Sequence, residues 1–141
     1  MLKGKLINPR ILGTLGALGH GSKILISDGN YPIHTRIGPR ATEVYLNLSP
    51  GIPTVTQVLE AILSAVPIEA AQVMLPADGS EPPIFSEFRK IIRDSGSSVE
   101  LQGLGRFAFY DAACGPDVGL GIHTGEQRIY ANILLTIGVV V

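Results

Sequence analysis

The chain has no tryptophan and a single cysteine, Cys114, among its 141 residues. One cysteine cannot close an internal disulfide, so a disulfide scaffold is excluded and a reducing compartment, the cytoplasm, is expected. Charge is also scarce. Asp, Glu, Lys and Arg together make up 16% of the chain, against roughly a quarter in ordinary soluble domains. The net charge is −1 and the lysines and arginines form no run, which leaves no basic patch for a nucleic acid or an anionic membrane. The opening stretch MLKGKLINPR lacks the apolar run of a secretory signal. No uninterrupted apolar stretch reaches the ~20 residues of a transmembrane helix. The cysteine and the three histidines, His20, His34 and His123, show no metal-ligand spacing, and no phosphate-binding or nucleophile-elbow motif is present. No metal and no cofactor are expected.

What the chain does have is apolar residues, 45% of the total. Its length suits one compact domain over residues 1–141, burying roughly two-thirds of the unfolded surface. So little polar material cannot cover a whole monomer, and part of the surface is expected to lie against other subunits.

Local patterns alternate between helix and strand. Asn8-Pro9 is a helix-start signal, followed by Ile11, Leu12, Leu15 and Leu18 at helical spacing, with Gly19 as a stop. Gly13 and Gly16 weaken that helix, and close backbone packing is the expected reason for them. Lys23 to Ser27 has the length and composition of a buried strand, and Asp28-Gly29-Asn30 is a turn. Glu43 to Leu48 alternates as a second strand. Thr54 and Gln57 form a capping box ahead of an apolar stripe from Val55 to Val66, closed by Pro67. Ala70 to Leu75 is a strand, Pro82 to Asp94 an amphipathic helix, and a short strand begins between Val99 and Leu101. Phe107 to Ala113 fits helix or strand equally. Val118 to Thr124 and Ala131 to Val140 are strands, the last apolar enough to be buried on both faces. In the first of these, Gly119 and Gly121 point to close backbone packing. The sum is an α/β domain with a largely parallel central sheet flanked by helices.

Three polar clusters interrupt this background. His20 lies between Gly19 and Gly21, with Asp28 and Asn30 beyond the next strand. Ligands gather at the carboxyl ends of strands in such sheets, which is where Asp28 falls. His20 falls at the other end, about 15 Å away along the strand, so a site using both requires two subunits. Taken alone, His20 is equally well a histidine capping a helix end, and Asp28 a turn residue bonding its own backbone. Arg106 precedes Phe107-Ala108-Phe109-Tyr110, where its fork of donors could hold a polyhydroxylated ligand or simply face solvent. Glu126, Tyr130 and Asn132 enter the last strand, with Tyr130 and Asn132 two apart and hence on one face.

Read together, these pieces resemble the RbsD/FucU family, the D-ribose pyranases and L-fucose mutarotases. The resemblance rests on Leu18-Gly19-His20-Gly21, Ile26-Ser27-Asp28 with Pro32, and Gly51-Ile52-Pro53 through Gln57-Val58-Leu59. It continues through Arg106 to Tyr110, Thr124-Gly125-Glu126, Tyr130 to Leu134 and Gly138-Val139, in order along nearly the whole chain. Gly29 stands where the family usually has alanine. The Gly51–Leu59 stretch is nearer the ribose branch and Arg106–Tyr110 nearer the fucose branch.

The resemblance implies a free monosaccharide as ligand, with L-fucose favoured and D-ribose the alternative. It makes His20 the proton donor, with Asp28, Arg106, Tyr130, Ala131 and Asn132 binding the sugar. It also implies a ring of subunits, commonly ten, with sites at subunit contacts. Opening a cyclic hemiacetal needs one proton removed from the anomeric hydroxyl and one delivered to the ring oxygen. A histidine, with an ordinary pKa of about 6.5, suits both transfers. A sugar-binding accessory of an uptake system would keep Asp28, Arg106 and Asn132 without needing His20. A purely structural oligomer would need none of them.

Overall fold

The computed structural model describes residues 1–141. Helix α1 spans Pro9–Ala17, and the Asn8 side chain accepts from the Ile11 N–H at 3.0 Å, as its start signal requires. Strands β1 (Lys23–Ser27) and β2 (Thr42–Tyr45) follow. Helix α2 spans Val55–Leu63 and starts in the expected capping box: the Thr54 hydroxyl accepts from the Gln57 N–H at 3.2 Å and the Gln57 side chain accepts from the Thr54 N–H at 2.9 Å. Replacing Thr54 with alanine removes one half of this exchange and should lower stability by about 1 kcal/mol, seen as a shifted urea midpoint at unchanged slope. Strand β3 (Ile68–Met74), helix α3 (Ile84–Asp94), strand β4 (Leu101–Leu104), helix α4 (Arg106–Ala113) and strands β5 (Val118–His123) and β6 (Ile133–Ile137) complete the chain.

The strands form one sheet in the order β2-β5-β1-β6-β3-β4. β2, β5 and β1 pair in parallel, as do β3 and β4, and β6 runs antiparallel to both β1 and β3. Five strands therefore point one way and β6 alone the other. That arrangement brings the loops after β1, β3 and β4 to one edge of the sheet, and the segment leading into β6 arrives at the same edge. The residues before β1 and at the start of β3 lie at the opposite edge.

Two apolar layers cover the sheet. The larger joins Ile11 and Leu15 of α1, Val58, Leu59 and Ile62 of α2, and Phe85, Phe88 and Ile92 of α3 to the sheet through Ile24, Ile26, Val73, Leu120, Ile133 and Leu135. The smaller puts Phe109 and Ala113 of α4, with Tyr31 and Ile33, over Leu25, Met74 and Leu134. The segment left open between helix and strand is thus helical, because Phe109 and Ala113, four apart, both reach the sheet.

Other expectations are corrected. The apolar stripe of α2 ends at Leu63, so Val66 packs from the connection after it. The last strand stops at Ile137, and Val139 and Val140 are exposed beyond the sheet. Nothing lies within 4 Å of a Cβ built on Gly13 or Gly16, so close packing does not explain them. It does explain Gly119 and Gly121, where a Cβ would strike Leu18 and Ile37. The chain leaves α1 at Leu18, one residue before the expected Gly19. No helix is long and apolar enough to cross a membrane.

Candidate functional site

At the carboxyl edge the sheet closes around a cavity of about 230 Å³. Its lining comes from four places in the sequence: Asp28, Asn30 and Tyr31 after β1, Met74 at the end of β3, Arg106 and Tyr110 on α4, and Ile129, Tyr130 and Asn132 before β6. Asp28 is buried beneath it. Its Oδ1 accepts from the N–H groups of Asn30 and Tyr31, both at 2.9 Å, and its Oδ2 accepts from Asn132 Nδ2 at 3.1 Å. Asn132 answers by accepting the Asp28 N–H at 2.9 Å. The two side chains, 104 residues apart, form a closed reciprocal pair. Burial raises the Asp28 carboxyl above the ordinary aspartate value; the donors from Asn30, Tyr31 and Asn132, and a further pull from the Ala131 backbone, offset part of that rise.

Arg106 is the first residue of α4 and is exposed; its guanidinium makes no hydrogen bond or ion pair within the chain. Tyr110, one turn on, meets Tyr31 edge to face at 5.6 Å and carries the Arg36 guanidinium 5.7 Å above its ring. Ala131 is fully buried and its side chain belongs to the core. Tyr130 and Asn132 both line the cavity, but not as neighbours on one strand face. They precede β6, and Tyr130 has φ 61°, a left-handed conformation that costs a bulky residue about 1–3 kcal/mol.

His20 is elsewhere. It sits before β1 at the opposite edge, half exposed, with Nε2 2.9 Å from Glu69 Oε2 near the start of β3. Within one chain it does not line the Asp28 cavity. His34 pairs with Glu43 at 3.2 Å on the surface. His123 packs its Nδ1 3.1 Å from Ser27 Oγ; burial lowers its pKa and the nearby charge of Asp28 partly restores it. Neither lines the cavity.

Met74, Ile129 and Glu69 were not singled out in the sequence, and Tyr110 only as part of the aromatic run after Arg106. Met74 could have been found from the rule that placed Asp28, since it closes a strand at the carboxyl edge. Glu69 carried no signal, because its meeting with His20 depends on where β3 lies in the sheet. Beside the first cavity lies a wider cleft of about 740 Å³, bounded by Pro76 to Ile84 and sharing Ile129 and Tyr130 with it.

A small cavity lined by both polar and apolar side chains at the convergent carboxyl ends of a mixed sheet marks an α/β domain built with a small-ligand pocket at the usual place. The chain belongs to the RbsD/FucU family: the profile described as the RbsD / FucU transport protein family matches residues 1–140. Among its relatives, the fucose mutarotase of Bos taurus is 35% identical, over 99% of this chain and 94% of that one. The D-ribose pyranase of Clostridium perfringens is 31% identical over 99% of each. The crystal structure of the Streptococcus pneumoniae fucose mutarotase in complex with L-fucose superposes with TM-score 0.81 at 28% identity, covering 96% of this chain and 95% of that one. Bacillus subtilis RbsD complexed with D-ribose gives TM-score 0.79 at 26% identity over 100% of both chains.

Proposed function

We propose that this protein is a monosaccharide mutarotase that interconverts the ring forms of a free sugar, with L-fucose preferred to D-ribose. The observation that carries this is the Asp28 cavity: a buried carboxylate fixed by Asn132, an unpaired Arg106 guanidinium and Tyr130, gathered on the same fold as relatives named for these two activities. Asp28 accepts sugar hydroxyls, and Arg106, Tyr130 and Asn132 supply further hydrogen bonds, with the Ala131 backbone holding the base of the site. Met74 and Ile129 give the cavity an apolar wall that suits the methyl group of a 6-deoxy sugar, which ribose lacks.

The reaction removes the proton of the anomeric hydroxyl and delivers one to the ring oxygen as the bond between that oxygen and the anomeric carbon breaks. The open aldehyde turns and recloses. His20 is the proton donor, oriented by Glu69, and it comes from a second copy of the chain, because its own Asp28 lies across the sheet. The wider cleft beside the cavity, rimmed by exposed Ile129, leaves room for that loop, and exposed Phe107 on α4, 6.4 Å from the Tyr110 ring, adds apolar surface beside the smaller cavity. This sharing requires at least two subunits, and the family resemblance implies that they form a homo-oligomeric ring, commonly of ten. A cytoplasmic location fits the single cysteine.

Magnetisation-exchange NMR on L-fucose, D-ribose and other aldoses tests the activity. Exchange between anomers or ring sizes should exceed that in buffer, most for L-fucose; no acceleration with any sugar would remove the enzyme. The family's description as transport proteins supports a second reading, a sugar-binding accessory without catalysis. That protein would bind the sugar and leave its exchange rate unchanged.

Affinity should also depend on pH through Asp28. Its raised pKa means that the folded protein holds this proton more tightly than the unfolded chain does. The associated stability is present in acid and lost as pH rises through the folded value. Sugar binding needs the ionised carboxylate, so it weakens in the opposite sense, as pH falls through the same value. Calorimetric titrations across pH should place this midpoint above that of an ordinary aspartate, and a midpoint at or below the ordinary value would contradict the assignment.

A further inference from the structure

Tyr130 stands in a conformation that a tyrosine does not choose, and strain of this kind persists only where the surroundings impose it. The backbone does not impose it. From Gln127 to Ala131 the chain makes no backbone–backbone hydrogen bond. Side chains hold the segment instead. Glu126 is buried, and its Oε1 accepts both the Arg128 N–H at 3.1 Å and Arg128 Nε at 2.9 Å. Its Oε2 accepts Arg128 Nη2 at 2.9 Å and the Val55 N–H, at the start of α2, at 3.2 Å. Arg128 then reaches outward, and its Nη1 donates to Glu87 on α3. The far side is fixed as well: the Glu126 carbonyl accepts the Gly29 N–H at 2.9 Å, next to Asp28. Gly125 below it lies so close to the backbone of Ser49 and Ile52 that no Cβ fits there.

We infer that the Glu126–Arg128–Glu87 chain of ion pairs is the positioning device for the sugar loop, holding Tyr130 strained over the Asp28 cavity and thereby setting sugar affinity. This rests on the mutarotase reading for its effect on sugar, but not for its effect on the loop. Arginine is required because one planar fork must serve both carboxylates, which a lysine ammonium cannot do. Desolvation alone would raise the Glu126 carboxyl; the Arg128 side chain and N–H hold it below the ordinary value, so it stays ionised to grip the loop. Glu126 and Arg128 act through Tyr130 and are positioning residues. Tyr130 touches the sugar in ground and transition states alike, so loosening it raises KM more than it lowers kcat.

Three measurements on the full-length protein test this, using Arg128→Lys and Glu87→Gln. In the sugar-free protein, hydrogen exchange of the residue 128 amide, the loop N–H that Glu126 Oε1 holds, should quicken about tenfold in Arg128→Lys and by less in Glu87→Gln, whose half-exposed pair is the weaker link. With L-fucose as probe, KM should rise about tenfold in Arg128→Lys, with kcat within roughly twofold of wild type. Melting temperature serves as the third reading. Unchanged exchange in the loop, or a lowered melting temperature with KM unchanged, would overturn the inference and leave the ion pairs a purely structural role. If wild-type protein failed to accelerate sugar exchange at all, the function would fall, while loop exchange in the free protein would still decide the clamp.

Discussion

Replacing His20 with alanine should reduce sugar exchange by about 100- to 10,000-fold, the range that positioned general acid–base groups supply, while sugar affinity stays within a few-fold of wild type. The loss of rate follows from the proton-donor role proposed for His20, and the retained affinity from where it lies. It is half exposed, paired with Glu69 at 2.9 Å, and absent from the cavity of its own chain, so its loss removes no wall of that cavity. The same geometry makes a sharper demand. When His20→Ala and Asp28→Ala subunits are mixed under conditions that let subunits exchange, sites that take histidine from one and aspartate from the other are intact, and part of the activity should return. A site contained in one chain recovers nothing on mixing. Glu69→Gln should cost less than His20→Ala, because it loosens the orientation of the imidazole and leaves the proton carrier in place. Equal exchange rates in His20→Ala and wild type would end the role given to His20.

Asp28→Ala should abolish measurable sugar binding and also destabilise the fold. The binding loss comes from removing a charged acceptor, typically worth about 1.5–3 kcal/mol for each hydrogen bond it makes. The stability loss comes from what remains behind. The N–H groups of Asn30 and Tyr31 and the Asn132 amide would lose their common acceptor. Asn30 is exposed and the Tyr31 N–H keeps a long contact to the residue 28 carbonyl, so the cost, about 1–3 kcal/mol for a buried donor left unpaired, falls mainly on the Asn132 amide. Asparagine is not a gentle replacement. If its oxygen stays with the two N–H groups, its NH₂ faces the NH₂ of Asn132. If Asn132 turns to accept it, the Asp28 backbone N–H loses the oxygen it now holds at 2.9 Å. Asp28→Asn should therefore fall with Asp28→Ala in a calorimetric titration of sugar, and retained affinity in either variant would show that the carboxylate is not the sugar's acceptor.

These residues differ in how far they could be read from sequence. The elements were legible because their signals are local: a cap at Asn8, a capping box at Thr54, a short apolar run at Lys23 to Ser27. The placement of Asp28 at a ligand-bearing edge followed from strand direction alone, and so did the conclusion that His20 cannot reach it. Strand order was not legible. Nothing within residues 131–140 reveals that they enter between β1 and β3 and run backwards. That insertion is why Tyr130 and Asn132 line the cavity from a loop and not from a strand face. The Glu69–His20 pair and the Met74 wall are likewise products of strand neighbours far apart in sequence. Glu126 was visible as a polar residue at a strand entrance, but its clamp on Arg128 needed the path of the loop.

The lone reversed strand also sets the order in which the molecule can be completed. β6 lies in the middle of the sheet, yet it is the last element of the chain, and β1 and β3 touch it rather than each other. Until residues 133–137 are in place, β2, β5 and β1 on one side and β3 and β4 on the other have no hydrogen-bonded strand between them, only the helices packed across one face. Closure across so many intervening residues is slow, and it is also the step at which Asn132 first meets Asp28. Binding competence and the finished fold are thus reached in the same event, so recovery of sugar affinity during refolding should track the final, sheet-closing phase and none before it.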